Sequence, residues 1–180
     1  GLPMWNKVYC RPLIIRKTIF NDKDDAIKEV RVNAELIKYS AGPIGYDLAL
    51  LKISNITLSS NSVIFCMTEN YHVGDTIWNI GHFEGSSDIY SVSRGVISYR
   101  NRIYDGLPRI QVDNTIHRGM SGGGIFLENK ECIGIVTLKR REGIAYAVRI
   151  EEVKQFCKDY NIEGILYPDK PINDGVQIDK

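Results

Sequence analysis

The chain has 180 residues, 43% of them hydrophobic, and its 23 Lys and Arg residues against 22 Asp and Glu residues give a net charge of +1. This length suits one domain, or two small barrels that share a cleft, with enough apolar residues to bury a core. The near-neutral charge gives no reason to expect nucleic acid or an anionic membrane as a partner, and no apolar run approaches the roughly 20 residues that span a bilayer.

Short segments rich in Val, Ile and Tyr alternate with clusters of Gly, Asn, Asp and Ser, which predicts an all-β protein of antiparallel barrels. The predicted strands are residues 29–39, 47–53, 75–80, 91–99, 109–112, 124–126, 131–138 and 144–148. One helix is predicted at 151–160, where Val153, Phe156, Cys157 and Tyr160 recur at helical spacing. Residues 161–180 combine Pro, Asp, Asn and Gly and predict a tail or linker.

A glycine-rich segment between two predicted strands reads NTIHRGMSGGGIF from Asn114 to Phe126. A serine hydroxyl becomes an effective nucleophile only beside a base, and the oxyanion that it creates needs donors already aimed at it. Because Gly119 has no side chain, the backbone can turn until the N–H groups of Gly119 and Ser121 point at one spot. The segment predicts Ser121 as a nucleophile with an oxyanion hole, and a glycine-rich hairpin is the alternative.

Six motifs in this order resemble the HtrA (Deg) branch of trypsin-like serine proteases. They read DLALLKI at 47–53, VGDTIWNIG at 73–81, VSRGVIS at 92–98, IQVD at 110–113 with RGMSGG at 118–123, CIGIV at 132–136 and IAYAVRI at 144–150. The resemblance implies a chymotrypsin-like double antiparallel β-barrel with one C-terminal α-helix, and a serine endopeptidase that works through a Ser-His-Asp triad and an acyl-enzyme. Around Gln111, His117 and Ser121 the chain is also similar to the peroxisomal processing proteases of this branch.

The resemblance also assigns roles to individual residues. Asp47 corresponds to the catalytic aspartate, which would fix the tautomer of a histidine and stabilise its imidazolium. The substrate pocket would be lined by Thr115, Ile116, His117, Arg118, Val136, Thr137, Leu138 and Ala145. Thr115 would form the base of this pocket, where a buried Arg or Lys of a substrate would find no carboxylate. We therefore expect cleavage after a small, polar or apolar side chain.

One member of the implied triad is missing from the sequence. The family requires a general-base histidine upstream of the aspartate, but residues 1–46 contain no histidine, and His72, His82 and His117 all follow Asp47. His117 is four residues before Ser121 on the same loop, where it would line the pocket without facing the hydroxyl. We expect the histidine upstream of Gly1, which makes residues 1–180 a truncated form or an internal cleavage product with an incomplete N-terminal barrel. The alternatives are a peptide-binding pseudoprotease and a chymotrypsin-like processing protease outside the HtrA branch.

The predicted organisation is a partial N-terminal barrel at 1–60 with the catalytic aspartate, a C-terminal barrel at 61–150 with the nucleophile, a helix at 151–160 and a tail or linker at 161–180. The four cysteines form no C-x-x-C pair, which favours reduced, buried thiols and an intracellular, cytoplasmic or peroxisomal location, with two disulfides as the alternative. We expect no metal and no cofactor. The expected partners are a protein or peptide substrate and the chain's own N-terminal fragment or a second copy of the chain.

Overall fold

The computed structural model describes residues 13–23, 25–40, 45–53, 62–83, 90–141 and 143–166. The chain divides into two compact units, the first comprising residues 1–39 and 49–60 and the second residues 40–48 and 61–180. The short segment that carries Asp47 therefore groups with the second unit, together with Ser121. The sequence predicts Asp47 within a partial barrel at 1–60, and that division of the chain stays a prediction.

The first unit contains a three-stranded sheet in the order β1-β2-β3. Its strands are β1 (Leu13–Phe20), β2 (Ala26–Ser40) and β3 (Leu48–Ile53). The β1 strand was not predicted, and it pairs antiparallel with β2 so that Leu13 lies opposite Ala34. Most described side chains of this sheet are exposed or half-buried, and Val32 is the one buried hydrophobic residue among them.

The second unit is a closed barrel of six antiparallel strands in the order β4-β5-β6-β9-β8-β7. Its strands are β4 (Thr76–His82), β5 (Tyr90–Tyr104), β6 (Leu107–Val112), β7 (Gly124–Leu127), β8 (Cys132–Arg141) and β9 (Ile144–Arg149). Fully buried aliphatic side chains from these strands, such as Ile77, Ile97, Ile110, Ile125 and Val148, fill its interior. Closure leaves no unpaired strand edge in the barrel. The prediction of an all-β protein with a barrel is confirmed.

The helix α1 (Ile150–Asp159) follows β9 without a loop and begins one residue earlier than predicted. Its apolar face is buried through Ile150, Val153, Phe156 and Cys157, which is the helical spacing seen in the sequence. A 3-10 helix at Glu163–Leu166 follows, within the region predicted as a tail. Among the described residues no helix is long and apolar enough to cross a membrane.

Polar contacts fasten the start of α1 to the barrel. The hydroxyl of Tyr71 donates to Glu151 at 2.8 Å, and Arg100 stacks over the Tyr71 ring at 4.1 Å while its guanidinium lies 3.3 Å from Glu151. Burial and this carboxylate raise the pKa of Tyr71 well above its usual range. Arg149 donates through Nε to Glu152 at 2.8 Å. These charges compensate one another, as partly buried charges must.

Candidate active site

The predicted nucleophile lies on an exposed turn that is tied to β8. The hydroxyl of Ser121 donates to the carbonyl oxygen of Thr137 at 3.1 Å. The N–H of Gly122 donates to the Val136 carbonyl at 2.7 Å, and the N–H of Val136 donates to the Gly123 carbonyl at 2.9 Å. Three hydrogen bonds within three consecutive residues thus fix the turn relative to the barrel.

The residue before the serine anchors the turn from its other side. Met120 is completely buried, and its sulfur accepts the N–H of His117 at 3.3 Å. A Cβ added to Gly81 in β4 would meet the Met120 backbone at 3.0 Å, and a Cβ on Gly123 would meet the Ile80 carbonyl oxygen at 2.4 Å. These glycines allow the turn to pack directly against β4, so the turn cannot shift without disturbing the barrel.

The predicted oxyanion donors are the backbone N–H groups of Gly119 and of Ser121 itself. Gly119 adopts a left-handed conformation with φ of 92°, which its missing side chain permits. In the part of the chain that the structure describes, the N–H groups of Gly119 and Ser121 donate to no backbone carbonyl. A pair of unused N–H groups on a rigid turn is what an oxyanion hole requires. Their assignment to this role stays a prediction.

Asp47 lies immediately before β3 and has its carboxylate exposed. Its φ of 60° is left-handed, a conformation that Asp tolerates at a cost of about 1 kcal/mol. The hydroxyl of Thr137 donates to Oδ2 of Asp47. Thr137 therefore contacts both predicted catalytic residues, Asp47 through its side chain and Ser121 through its carbonyl. Sequence reasoning assigned Thr137 to the pocket wall and missed this contact.

The three histidines all lie in described segments, and none is hydrogen-bonded to Ser121 or Asp47. His72 is exposed, and its main-chain N–H donates to Asp75 at 2.7 Å. His82 is exposed at the end of β4. His117 is exposed and meets the edge of the Phe83 ring, with ring centroids 5.0 Å apart. Within residues 1–180, the described contacts give Ser121 no imidazole base.

The predicted pocket residues divide into exposed and buried groups. Thr115, His117 and Arg118 are exposed, whereas Ile116, Val136 and Ala145 are buried. Leu138 lies in β8, but its side chain falls outside the described part of the structure. That these residues line one pocket stays a prediction. No group of three or more His, Cys, Asp or Glu residues in the described segments could hold a metal ion.

The closed six-stranded barrel, the three-stranded sheet and the helix α1 match a chymotrypsin-like fold. The structure is similar to that of the serine endoprotease from Yersinia pestis, with a TM-score of 0.60 over 80% of this chain and 48% of that chain. The sequence identity of 24% means that this likeness shows the fold. The family described as trypsin-like peptidase domain matches residues 12–135. The chain therefore belongs to the trypsin-like peptidase family.

Curated relatives agree with the resemblance to the HtrA branch, which is confirmed. A serine protease HtrA-like protein from Staphylococcus epidermidis is 30% identical over 142 residues, which cover 70% of this chain and 24% of the relative. A protein of the same description from Staphylococcus aureus is 29% identical over 139 residues, covering 68% of this chain and 18% of the relative. The chain thus spans about a quarter or less of the length of these relatives.

Proposed function

We propose that the protein is a serine endopeptidase with Ser121 as nucleophile and Asp47 as the aspartate of a Ser-His-Asp triad. The observation that carries this proposal is that Thr137 contacts both residues, although they lie 74 positions apart in the sequence. Membership of the trypsin-like peptidase family supports the same reaction.

The proposed reaction assigns a step to each group. The Ser121 oxygen attacks the peptide carbonyl carbon while its proton passes to an imidazole, and the N–H groups of Gly119 and Ser121 receive the oxyanion. The imidazolium, which Asp47 stabilises, then gives the proton to the departing amine as the C–N bond breaks. Water, activated by the same imidazole, hydrolyses the acyl-enzyme and restores Ser121.

The base is proposed to come from a segment outside residues 1–180, upstream of Gly1 in the longer protein or on a separate N-terminal fragment. Among the described contacts none of the three histidines is hydrogen-bonded to Ser121, which supports this step. Residues 1–180 alone are expected to have little activity, because the triad acts as a unit.

The proposed substrates are proteins or peptides with a small, neutral side chain at the cleaved position, because the predicted pocket offers Thr115 and no carboxylate. Cys66, Cys132 and Cys157 are free and buried. These reduced thiols support an intracellular, cytoplasmic or peroxisomal location.

A second candidate is a pseudoprotease that binds peptides without cleaving them. In the described part of the chain the Ser121 hydroxyl donates to a main-chain carbonyl and to no imidazole, which favours it. The left-handed glycines on both sides of Met120–Ser121 and the retained Asp47 favour the enzyme.

The test is labelling of the full-length protein with a serine-directed fluorophosphonate, mapped by peptide mass spectrometry. We expect modification of Ser121 that is lost in Ser121→Ala and kept in Ser62→Ala, a variant at another exposed serine. Residues 1–180 alone should label at least 100-fold more slowly, since they lack the base. A folded full-length protein that does not label, or that carries no histidine upstream of Gly1, would favour the pseudoprotease.

A further inference from the structure

Tyr46, the residue directly before Asp47, is held at its backbone N–H, its carbonyl and its side chain. Its N–H donates to Ser40 Oγ at 2.8 Å, and its carbonyl accepts from Arg109 at 3.2 Å. Its hydroxyl donates to Asp159 in α1 at 2.8 Å. The residue that follows it is the predicted catalytic aspartate.

Arg109 is the unusual member of this set, because it is a cation in β6 with only 5% of its surface exposed. Within the described part of the chain its guanidinium forms no ion pair, and its one side-chain hydrogen bond goes to the Tyr46 carbonyl. Burial lowers the pKa of Arg109, and of the carboxylates that oppose this effect Asp47 contributes most. A buried cation needs such compensation, and Arg109 finds it at two neighbouring residues, through the hydrogen bond to the Tyr46 carbonyl and the charge of Asp47.

The backbone conformation of Asp47 gives such an anchor a purpose. Its left-handed φ of 60° costs about 1 kcal/mol, which contacts that fix the neighbouring peptide help to offset. A fixed Tyr46 carbonyl determines the plane of the peptide that enters Asp47. That plane sets the direction of the Asp47 side chain, which accepts the Thr137 hydroxyl.

We propose that Arg109 is a positioning residue for Asp47, which holds the Tyr46 carbonyl so that the Asp47 carboxylate stays directed at Thr137. This inference rests on the proposed function for its catalytic consequence, although the positioning itself is a property of the fold. Arg109 touches neither substrate nor the reacting atoms, and it acts through the main chain.

Arg149 provides a matched control for this role. It is also a partly buried arginine, with 15% of its side chain exposed, and it lies in β9, the strand that pairs with β6. Its partners are Glu152, Glu151 and Asn101, none of which belongs to the Asp47 segment. Removing either guanidinium costs stability, but only the loss of Arg109 should displace Asp47.

The experiment compares Arg109→Met, Arg109→Lys and Arg149→Met in the full-length protein, well below the melting temperature of each. The first measurement is the backbone amide signal of Asp47 in two-dimensional NMR. We expect it to shift or broaden in Arg109→Met, to recover largely in Arg109→Lys, which keeps a cationic donor, and to stay in place in Arg149→Met. The second measurement is peptide hydrolysis, where Arg109→Met should lower kcat about 30-fold with KM changed less than twofold, since misplacement by about 1 Å can cost about 100-fold.

An Asp47 signal that is unchanged in Arg109→Met would overturn the proposal, as would equal losses of kcat in Arg109→Met and Arg149→Met. If the unmodified protein hydrolyses no peptide and resists fluorophosphonate, the proposed function fails, and the NMR comparison still decides the positioning role. If Arg109→Met does not fold, Arg109→Gln takes its place, because it keeps an amide donor without the charge. We then expect an intermediate shift of the Asp47 signal. An Asp47 signal that does not shift in Arg109→Gln would contradict the proposal.

Discussion

Thr137 donates its side-chain hydroxyl to the carboxylate of Asp47, 90 residues earlier in the chain. The same residue accepts the hydroxyl of Ser121 with its carbonyl oxygen. One residue of β8 therefore fixes both predicted catalytic side chains relative to the barrel. Each of these contacts lies within the second unit, so the aspartate is positioned by the barrel that carries the nucleophile.

Replacing Thr137 tests this double contact. Thr137→Val keeps the shape and the carbonyl but removes the donor to Asp47, and we expect kcat of the full-length protein to fall about tenfold, equivalent to the loss of a charge-assisted hydrogen bond of about 1.5 kcal/mol. Thr137→Ser keeps the donor and should stay within about threefold of the unmodified enzyme. Peptide hydrolysis provides the measurement, and a Thr137→Val enzyme as active as Thr137→Ser would show that the hydroxyl is dispensable.

Alanine substitutions at the two left-handed glycines of the turn distinguish an effect on catalysis from an effect on folding stability. Gly119→Ala and Gly122→Ala place a methyl group at φ of 92° and 88° respectively, so both should cost about 1 kcal/mol of folding stability. Only Gly119 carries a predicted oxyanion donor, and its displacement should slow fluorophosphonate labelling about 100-fold. The N–H of Gly122 donates to Val136 instead. Equal labelling rates of the two folded variants would exclude Gly119 from the oxyanion hole.

Gly123 should be intolerant of any side chain. In Gly123→Ala the new methyl group meets the Ile80 carbonyl oxygen at 2.4 Å and the Met120 carbonyl oxygen at 2.9 Å. Because backbone atoms cannot move aside cheaply, we expect a loss of about 3 kcal/mol and a drop in Tm of roughly 6–12 °C by calorimetry. Gly164→Ala is the control, since nothing lies within 4 Å of its added Cβ. A Tm for Gly123→Ala equal to that of Gly164→Ala would contradict the close packing of the turn against β4.

The buried thiol of Cys132 should make the fold sensitive to alkali. Burial raises its pKa from 9.0 to about 11, so the unfolded chain loses this proton at a lower pH than the folded chain. Stability is therefore complete below about pH 9 and falls by about 1.4 kcal/mol per pH unit up to about pH 11. Urea unfolding at several pH values measures this slope. In Cys132→Ala the unfolding free energy should fall less steeply with pH, by about that amount per pH unit. Identical slopes in the two proteins would show that Cys132 is not the source of the alkaline destabilisation.

The sequence predicted the local features of the fold well. The turn around Ser121, most strands of the barrel and α1 follow from glycine placement and from periodic apolar residues within short windows. The β1 strand was missed because LIIRKTIF shows no clean alternation and forms only through pairing with β2. The extension of β5 to Tyr104 was missed because the last residues of the strand are mostly polar. In this part of the strand Arg102 stacks over the Tyr99 ring at 4.7 Å.

The contacts that organise the site were beyond the reach of the sequence. In the sequence Thr137 is one residue of a largely apolar predicted strand. The contact of its hydroxyl with Asp47 depends on where the 45–47 segment meets β8. Arg109 reads as an ordinary strand cation, and its burial against the Tyr46 carbonyl depends on the register of β6 and on α1. Contacts between residues distant in sequence leave no local pattern, because the residues need only be complementary in the folded state.

A crystal structure of the full-length protein after reaction with a fluorophosphonate tests the central claim most directly. We predict phosphorus bonded to Ser121 Oγ, with the phosphonyl oxygen within about 3 Å of the N–H groups of Gly119 and Ser121. An imidazole from outside residues 1–180 should lie between the adduct and Asp47, with Thr137 still donating to the carboxylate. An unmodified Ser121, or an adduct whose oxygen points away from these donors with no imidazole beside Asp47, would contradict the assignment of a serine endopeptidase.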